Sequence, residues 1–327
     1  MKLINYFKKA FKKKNRERVS EFPQSIILEP TNAYNLRCKM CPAYGEGVQK
    51  KRDIGFIKRD VWERAIDEIG SWPSTVNLDI HGAGEPLLHP DFFDIVSYAK
   101  SKNNINLGFL CNGTLLDKKK SNAVIELGVD WVCFSVDGAE KEIFEYYRKG
   151  AVLQTVEENI QYLLSLRTHD KPLVFLNMVH HQEADINKFI DKWAGFVDTL
   201  SISRKREIFR DNNKRLKLLK PCSFLYRQLG IGWSGVTGLC CEDYWIEYAT
   251  GEFPAQSLYE IWHGKKFRKA RELHEAGRYN ELYLCRTCDT TVFHKYEERM
   301  IKKHGKQTMV RIELDDLDSA IVMPMIG

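Results

Sequence analysis

Residues Thr31–Pro42 read TNAYNLRCKMCP and follow an apolar run, Ile26-Ile27-Leu28. Cys38 and Cys41 thus form a C-x-x-C pair on a loop that leaves a strand-like segment, Ser25–Glu29. A lone pair of this kind suits zinc, a redox dithiol or chance, so its meaning rests on what surrounds it. Working outward, strand-like segments recur at Thr75–Ile80, Ile105–Leu110, Trp131–Val136, Pro172–Val179 and Thr199–Ser203. Several are almost continuously apolar or β-branched, as strands covered on both faces tend to be. Helix-period segments lie between them: Ile57, Val61, Ala65 and Ile69 recur in Ile57–Ile69, and Val156, Ile160, Leu163 and Leu164 in Val152–Leu166. This rhythm predicts an α/β fold of six β–α units with a parallel sheet, open or curved into a partial (β/α)6, TIM-like barrel. Ligands collect at the C-terminal strand ends in both forms, so the polar loops there are where chemistry is expected.

Four features stand at those ends. Strand 1 leads into Cys38-Lys39-Met40-Cys41-Pro42, and strand 2 into Gly82-Ala83-Gly84-Glu85-Pro86. Strand 3 runs into Cys111-Asn112-Gly113-Thr114, and strand 4 into Ser135-Val136-Asp137-Gly138, with Arg148 in the helix that follows. Each is weak alone, since a glycine-rich turn is usually only a turn and a helix arginine usually a solvated charge. In this order they are specific.

The set resembles the radical S-adenosylmethionine (SAM) superfamily over about residues 24–205. The resemblance implies a 4Fe–4S cluster on a C-x-x-x-C-x-x-C loop, held by three irons with the fourth open to the amino and carboxylate groups of SAM. Soft thiolates suit such a cluster. By the same resemblance Gly82, Gly84 and Glu85 meet the methionyl ammonium, Ser135 the ribose and Arg148 the SAM carboxylate, with Asn112 a further SAM contact. The implied activity is that of an oxidoreductase: one electron from a flavodoxin- or ferredoxin-type reductant cleaves SAM, and the 5′-deoxyadenosyl radical takes a hydrogen atom from substrate. This sequence departs from the pattern at one point: Tyr34 stands where the first cluster cysteine is expected. A phenol is a hard donor with an ordinary pKa of about 10. Three readings follow: an inactivated variant, a non-catalytic homologue that binds SAM without radical chemistry, or Tyr34 or Cys111 as substitute ligand.

Composition shifts near residue 212, where DNNKRLKLLK gives way to a cysteine- and glycine-rich stretch. The expected division is an N-terminal extension, 1–24; a barrel, 25–212; a small C-terminal domain, 213–300; and a tail, 301–327. Cys222, Cys240, Cys285 and Cys288, spaced by 18, 45 and 3 residues, resemble the SPASM/twitch extension that binds an auxiliary 4Fe–4S cluster. The spacing is nearest the twitch type of a butirosin-pathway aminocyclitol dehydrogenase. A structural zinc site is the other reading of four cysteines. Cys240 rather than Cys241 is selected by its distance from Gly235. Leu258–Leu273 is expected as a helix and Met309–Leu314 as a strand, while Cys111, Cys133 and the pair His180-His181 read as packing or loop residues.

About 24 residues precede strand 1, too few for a peptide-recognition domain, which points to a small polar substrate such as a sugar or aminocyclitol. Arg204, just past strand 6, is the candidate substrate contact or base. A peptide-modifying maturase is the alternative, and a zinc-stabilised adaptor another. The net charge of +6 is local: residues 1–20 hold eight Lys/Arg against one Glu, so the remaining chain is close to neutral and gives no footprint for nucleic acid. Leu3, Ile4, Phe7 and Phe11 share a helical face there, which suits peripheral membrane contact; the short face favours a solvated extension. Nine cysteines without a secretory signal, and no apolar run of about 20 residues, predict a cytoplasmic protein.

Overall fold

The computed structural model describes residues 19–45, 48, 52–181, 183–204, 214–216, 221–286, 288, 296–313 and 322–324. Most of the basic extension and of the charged connector lies outside the described residues. The six expected strands form as β1 (Ser25–Leu28), β2 (Val76–Ile80), β3 (Ile105–Cys111), β4 (Trp131–Ser135), β5 (Leu173–His180) and β6 (Thr199–Arg204). They lie side by side in chain order and are all parallel. Helices α1 (Arg59–Gly70), α2 (Phe92–Lys100), α3 (Lys118–Glu126), α4 (Lys141–Tyr147), α5 (Leu153–Leu166) and α6 (Ile186–Trp193) connect them.

Alternation along the strands decides which side chains reach the helices. Leu78 and Ile80, Phe109, Phe134, Leu176 and Met178, and Leu200 and Ile202 are buried in the core together with Trp62, Ala65, Ile66 and Ile69 of α1. Each of the buried Leu, Ile, Phe and Met side chains contributes about 1.5–3 kcal/mol relative to exposure. The opposite face carries polar groups. Ser25 donates to Asp79 (2.7 Å), and Asn106 to Asn77 (2.7 Å).

The sheet does not close. Of the later strands, β7 (Lys214–Leu216) pairs apart with β13 (Val322–Pro324). Strand β8 (Gln228–Ile231) instead joins β1 in parallel, and β9 (Val236–Gly238) and β10 (Ala249–Glu252) extend that edge antiparallel. At the other edge β12 (Lys306–Glu313), where a strand was expected, runs parallel to β6 and is flanked by β11 (Tyr296–Lys303). The result is an open, mostly parallel sheet of eleven strands, with strands of the cysteine-rich segment built onto its β1 edge.

One expected helix is two. Leu258–Leu273 divides into α7 (Leu258–Trp262) and α8 (Lys265–Glu275), because Gly264 takes an extended conformation (φ −69°, ψ 164°). Trp262 Nε1 donates to Ser20 O (2.9 Å), and the His263 ring bonds Glu21 O (2.8 Å). These contacts draw the break onto the segment before β1.

Candidate functional site

The loop after β1 is fixed by its own polar residues before any cofactor is considered. Thr31 Oγ1 donates to Gly55 O (2.7 Å); Asn32 donates to Asp53 O (2.8 Å) and accepts from Gly55 N (2.9 Å), so the outgoing and returning chains are stitched together. The Arg37 and Lys39 amides donate to Lys149 O (3.0 Å) and Tyr147 O (2.9 Å), seating the loop on the end of α4. Within it the Cys41 amide donates to Cys38 O (3.0 Å), and the Tyr44 amide to Cys41 Sγ (3.3 Å). None of the nine cysteines is in a disulfide.

The turn after β2 packs so closely on this loop that a side chain at two of its glycines would force neighbouring atoms to shift. A Cβ on Gly82 would lie 2.4 Å from Glu29 Cγ, and one on Gly84 2.2 Å from Thr31 O. Glu85 is buried; its amide donates to Ala33 O (2.8 Å), and its carboxylate accepts from the amides of Leu87 (3.3 Å) and Asn112 (2.9 Å). Burial outweighs these bonds and pushes the Glu85 carboxyl up to about 7. Asn112 donates to Asn35 Oδ1 (2.8 Å), closing the triangle of β1 loop, β2 turn and β3 end.

Tyr34, Cys41, Gly82, Gly84, Glu85 and Ser135 line one cavity of about 150 Å³, together with His81, Cys111 and Tyr244. The strand-end motifs therefore converge. Cys38 and Asn112 are not in that lining, and neither is Arg148. It is buried and its Nε pairs with Asp137 Oδ2 at 2.7 Å, while Asp137 Oδ1 accepts from the Val179 amide (2.8 Å). Burial alone would lower the Arg148 pKa, but Asp137 and Cys38 outweigh it and hold the guanidinium charged. Burial raises the Cys38 thiol, and Arg148 opposes that rise. Arg204 lies away from the cavity, its amide donating to Glu313 Oε2 (3.3 Å) on β12.

The donors on the first loop do not fit a three-thiolate cluster site. Burial, with the Glu85 carboxylate nearby, pushes the Tyr34 phenol well above its ordinary value, so it stays protonated. Its ring stacks on Tyr44 (5.7 Å between centroids). The loop thus offers two thiols and a neutral phenol.

A second cavity is lined by Cys222, Cys240, Cys285 and Cys288 with Phe224, Leu225, Leu239 and Leu284. Cys241 is not in this lining. Burial pushes the Cys240 thiol well up, and the four neighbouring cysteines push it further, so thiolates here need a compensating cation. Among the described residues no group of three or more His, Cys, Asp or Glu is arranged to hold a single ion. Four soft donors in a wall that is apolar apart from Glu242 and His274 suit a cluster. The chain from Cys240 to Tyr244 joins the two cavities: Cys240 and Glu242 line the second, Tyr244 lines the first, and the Tyr244 hydroxyl donates to Glu242 (3.0 Å).

Sequence reasoning missed His81, Tyr244, the Glu29–Arg52 ion pair and His274. His81 was the most legible, being the residue between β2 and its glycine turn. Burial lowers its pKa to about 4, so the imidazole facing the cavity is neutral. His181 is buried and stacked on Tyr147 (3.7 Å between centroids), a packing role as expected.

The sequence pattern of the radical SAM superfamily matches residues 28–191, half of the chain, and that of an iron–sulfur cluster-binding domain matches residues 222–289. The chain is 31% identical over 162 residues to the tungsten-containing aldehyde ferredoxin oxidoreductase cofactor-modifying protein of Pyrococcus furiosus, covering 48% of this chain and 44% of that one. It is 25% identical over 185 residues to the mycofactocin maturase MftC of Mycobacterium ulcerans, covering 56% and 48%. The chain thus spans less than half the length of these relatives. BtrN in complex with AdoMet and 2-DOIA shares the fold at a TM-score of 0.60 and 18% identity, over 84% of this chain and 95% of that one. Streptococcus suis SuiB bound to its precursor peptide SuiA does so at 0.64 and 12%, over 89% and 75%.

Proposed function

We propose, for a chain that belongs to the radical SAM superfamily and carries an iron–sulfur cluster-binding domain, a SAM-dependent oxidoreductase acting on a small polar substrate, with SAM cleavage limited by Tyr34. The observation that carries this reading is the pair of cavities joined by Cys240–Tyr244, one lined by the strand-end motifs and one by four cysteines. Cys38 and Cys41 with a third soft ligand would hold a cluster that supplies one-electron chemistry toward SAM, and Cys222, Cys240, Cys285 and Cys288 would hold one that supplies an electron acceptor.

The chain's own residues do the positioning. Gly82 and Gly84 let the β2 turn approach the loop, which sets Glu85 in the wall of the cavity that a methionyl group would occupy. A Glu85 carboxyl titrating near 7 gains charge when an ammonium group is placed beside it. Ser135 offers a hydroxyl for a ribose. Arg148, fixed by Asp137, offsets thiolate charge at Cys38 and is the cation assigned to a SAM carboxylate. His81 accepts a hydrogen bond from a substrate hydroxyl. Cys222, Cys240, Cys285 and Cys288 are the ligands for the auxiliary cluster. A one-electron reductant is the expected partner. Arg204 pairs with Glu313 of β12 and is not assigned to the substrate.

Small polar substrates are favoured by the modest cavity and by likeness to BtrN over nearly its whole length. Peptide modification is the second reading, favoured by likeness to MftC and to peptide-bound SuiB. The test is anaerobic reconstitution of the unmodified chain beside Tyr34→Cys. About four irons per chain are expected in the first and about eight in the second, with 5′-deoxyadenosine released under reductant at least tenfold faster by Tyr34→Cys. Equal iron and equal rates would remove Tyr34 as the limiting residue.

A further inference from the structure

His274 lies on α8 and is buried in the wall of the second cavity. Its two ring nitrogens face two of the four cysteines. The Cys222 amide donates to Nδ1 at 3.3 Å, and Nε2 lies 3.3 Å from Cys285 Sγ. Because Nδ1 accepts a backbone proton, the neutral imidazole carries its own proton on Nε2, and that N–H donates to sulfur. The geometry therefore sets the tautomer. The Tyr279 ring lies at 5.9 Å, and the remaining wall is largely apolar.

We propose that His274 is a positioning residue for the auxiliary cluster: it ties the ligands Cys222 and Cys285 to α8 and donates a hydrogen bond to the Cys285 sulfur that raises the cluster's reduction potential. This rests on the reading of the four cysteines as cluster ligands. A hydrogen bond to a ligating sulfur withdraws electron density from it and favours the reduced cluster. An acceptor of higher potential takes an electron from a substrate radical more readily, which is the task given above to this cluster. His274 itself moves no electron and touches no substrate.

The test compares the unmodified chain, His274→Phe and His274→Gln after anaerobic reconstitution, with iron and sulfide measured and the potential followed by EPR-monitored redox titration. The signal is assigned to the second cavity by its loss in Cys285→Ser. At equal iron, His274→Phe is expected to titrate at a lower potential, and His274→Gln, which keeps an N–H donor, between the two. Pulsed EPR of the reduced unmodified chain is expected to show an imidazole nitrogen and an exchangeable proton coupled to the cluster, and both should vanish in His274→Phe. Unmoved potentials, or a reduced parent cluster without those couplings, overturn the role of His274. If His274→Phe fails to take up iron, the pulsed measurement on the parent decides alone. Zinc in place of iron in the parent would instead remove the cluster reading itself, and this inference with it.

Discussion

Position 34 concentrates the chemistry of this chain into one side chain. A cysteine there would be a soft anion when bound to iron; the tyrosine is a neutral phenol whose ionisation its surroundings oppose. Glu85 illustrates the same principle with a measurable sign. Its folded pKa, raised by burial to about 7 from 4.5, makes the folded state bind the proton more tightly than the unfolded one. Stability from this group is present below about pH 4.5 and lost as pH rises through 7. Glu85→Gln should flatten that decline in urea midpoints measured between pH 4.5 and 8; an unaltered slope would place the titration elsewhere. Cys38, Cys41 and Glu85 were legible because their residue types sit at motif spacing. His274 was not, since nothing in HEAG marks an imidazole that will face two sulfurs.

At the scale of elements, the β2 turn and the β1 loop act as one unit. Gly84→Ala introduces a Cβ at 2.2 Å from a backbone oxygen, which no side-chain motion relieves. The expected cost is about 1–3 kcal/mol in urea unfolding, together with a weakened SAM affinity by calorimetry. Full affinity in this variant would show that the turn does not shape the SAM site. Helical periodicity located α1 and α5 to within a few residues, because burying one face every 3.6 residues is a local requirement. It overran the α7–α8 break, because the bonds from Trp262 and His263 to residues 20 and 21 are not local.

Across the whole molecule, Glu29 holds the parts together. Its buried carboxylate pairs with Arg52 (2.8 Å) and accepts from the amides of Ala83 (3.0 Å) and Trp233 (3.1 Å), while Arg52 also donates to Tyr244 O (2.8 Å). One ion pair thus ties β1, the β2 turn and the cysteine-rich segment. Arg52→Ala leaves a buried carboxylate unpaired and should cost about 3–5 kcal/mol in chemical unfolding. A loss below about 1 kcal/mol would mean the pair behaves as a surface salt bridge. The sequence alone determined the six β–α units, the order of motifs at their ends and the grouping of the late cysteines, because apolar periodicity and motif spacing are written within a few residues. Only the tertiary structure decided that β8 adds to the β1 edge, that Tyr244 shares a cavity with Tyr34, and that His274 points at Cys285. Those outcomes depend on which edges pair and which side chains lose water together, and both are set by contacts far apart along the chain. The loop at Thr31–Pro42 belongs to both: its cysteines could be read, but the buried setting that keeps Tyr34 protonated had to be built.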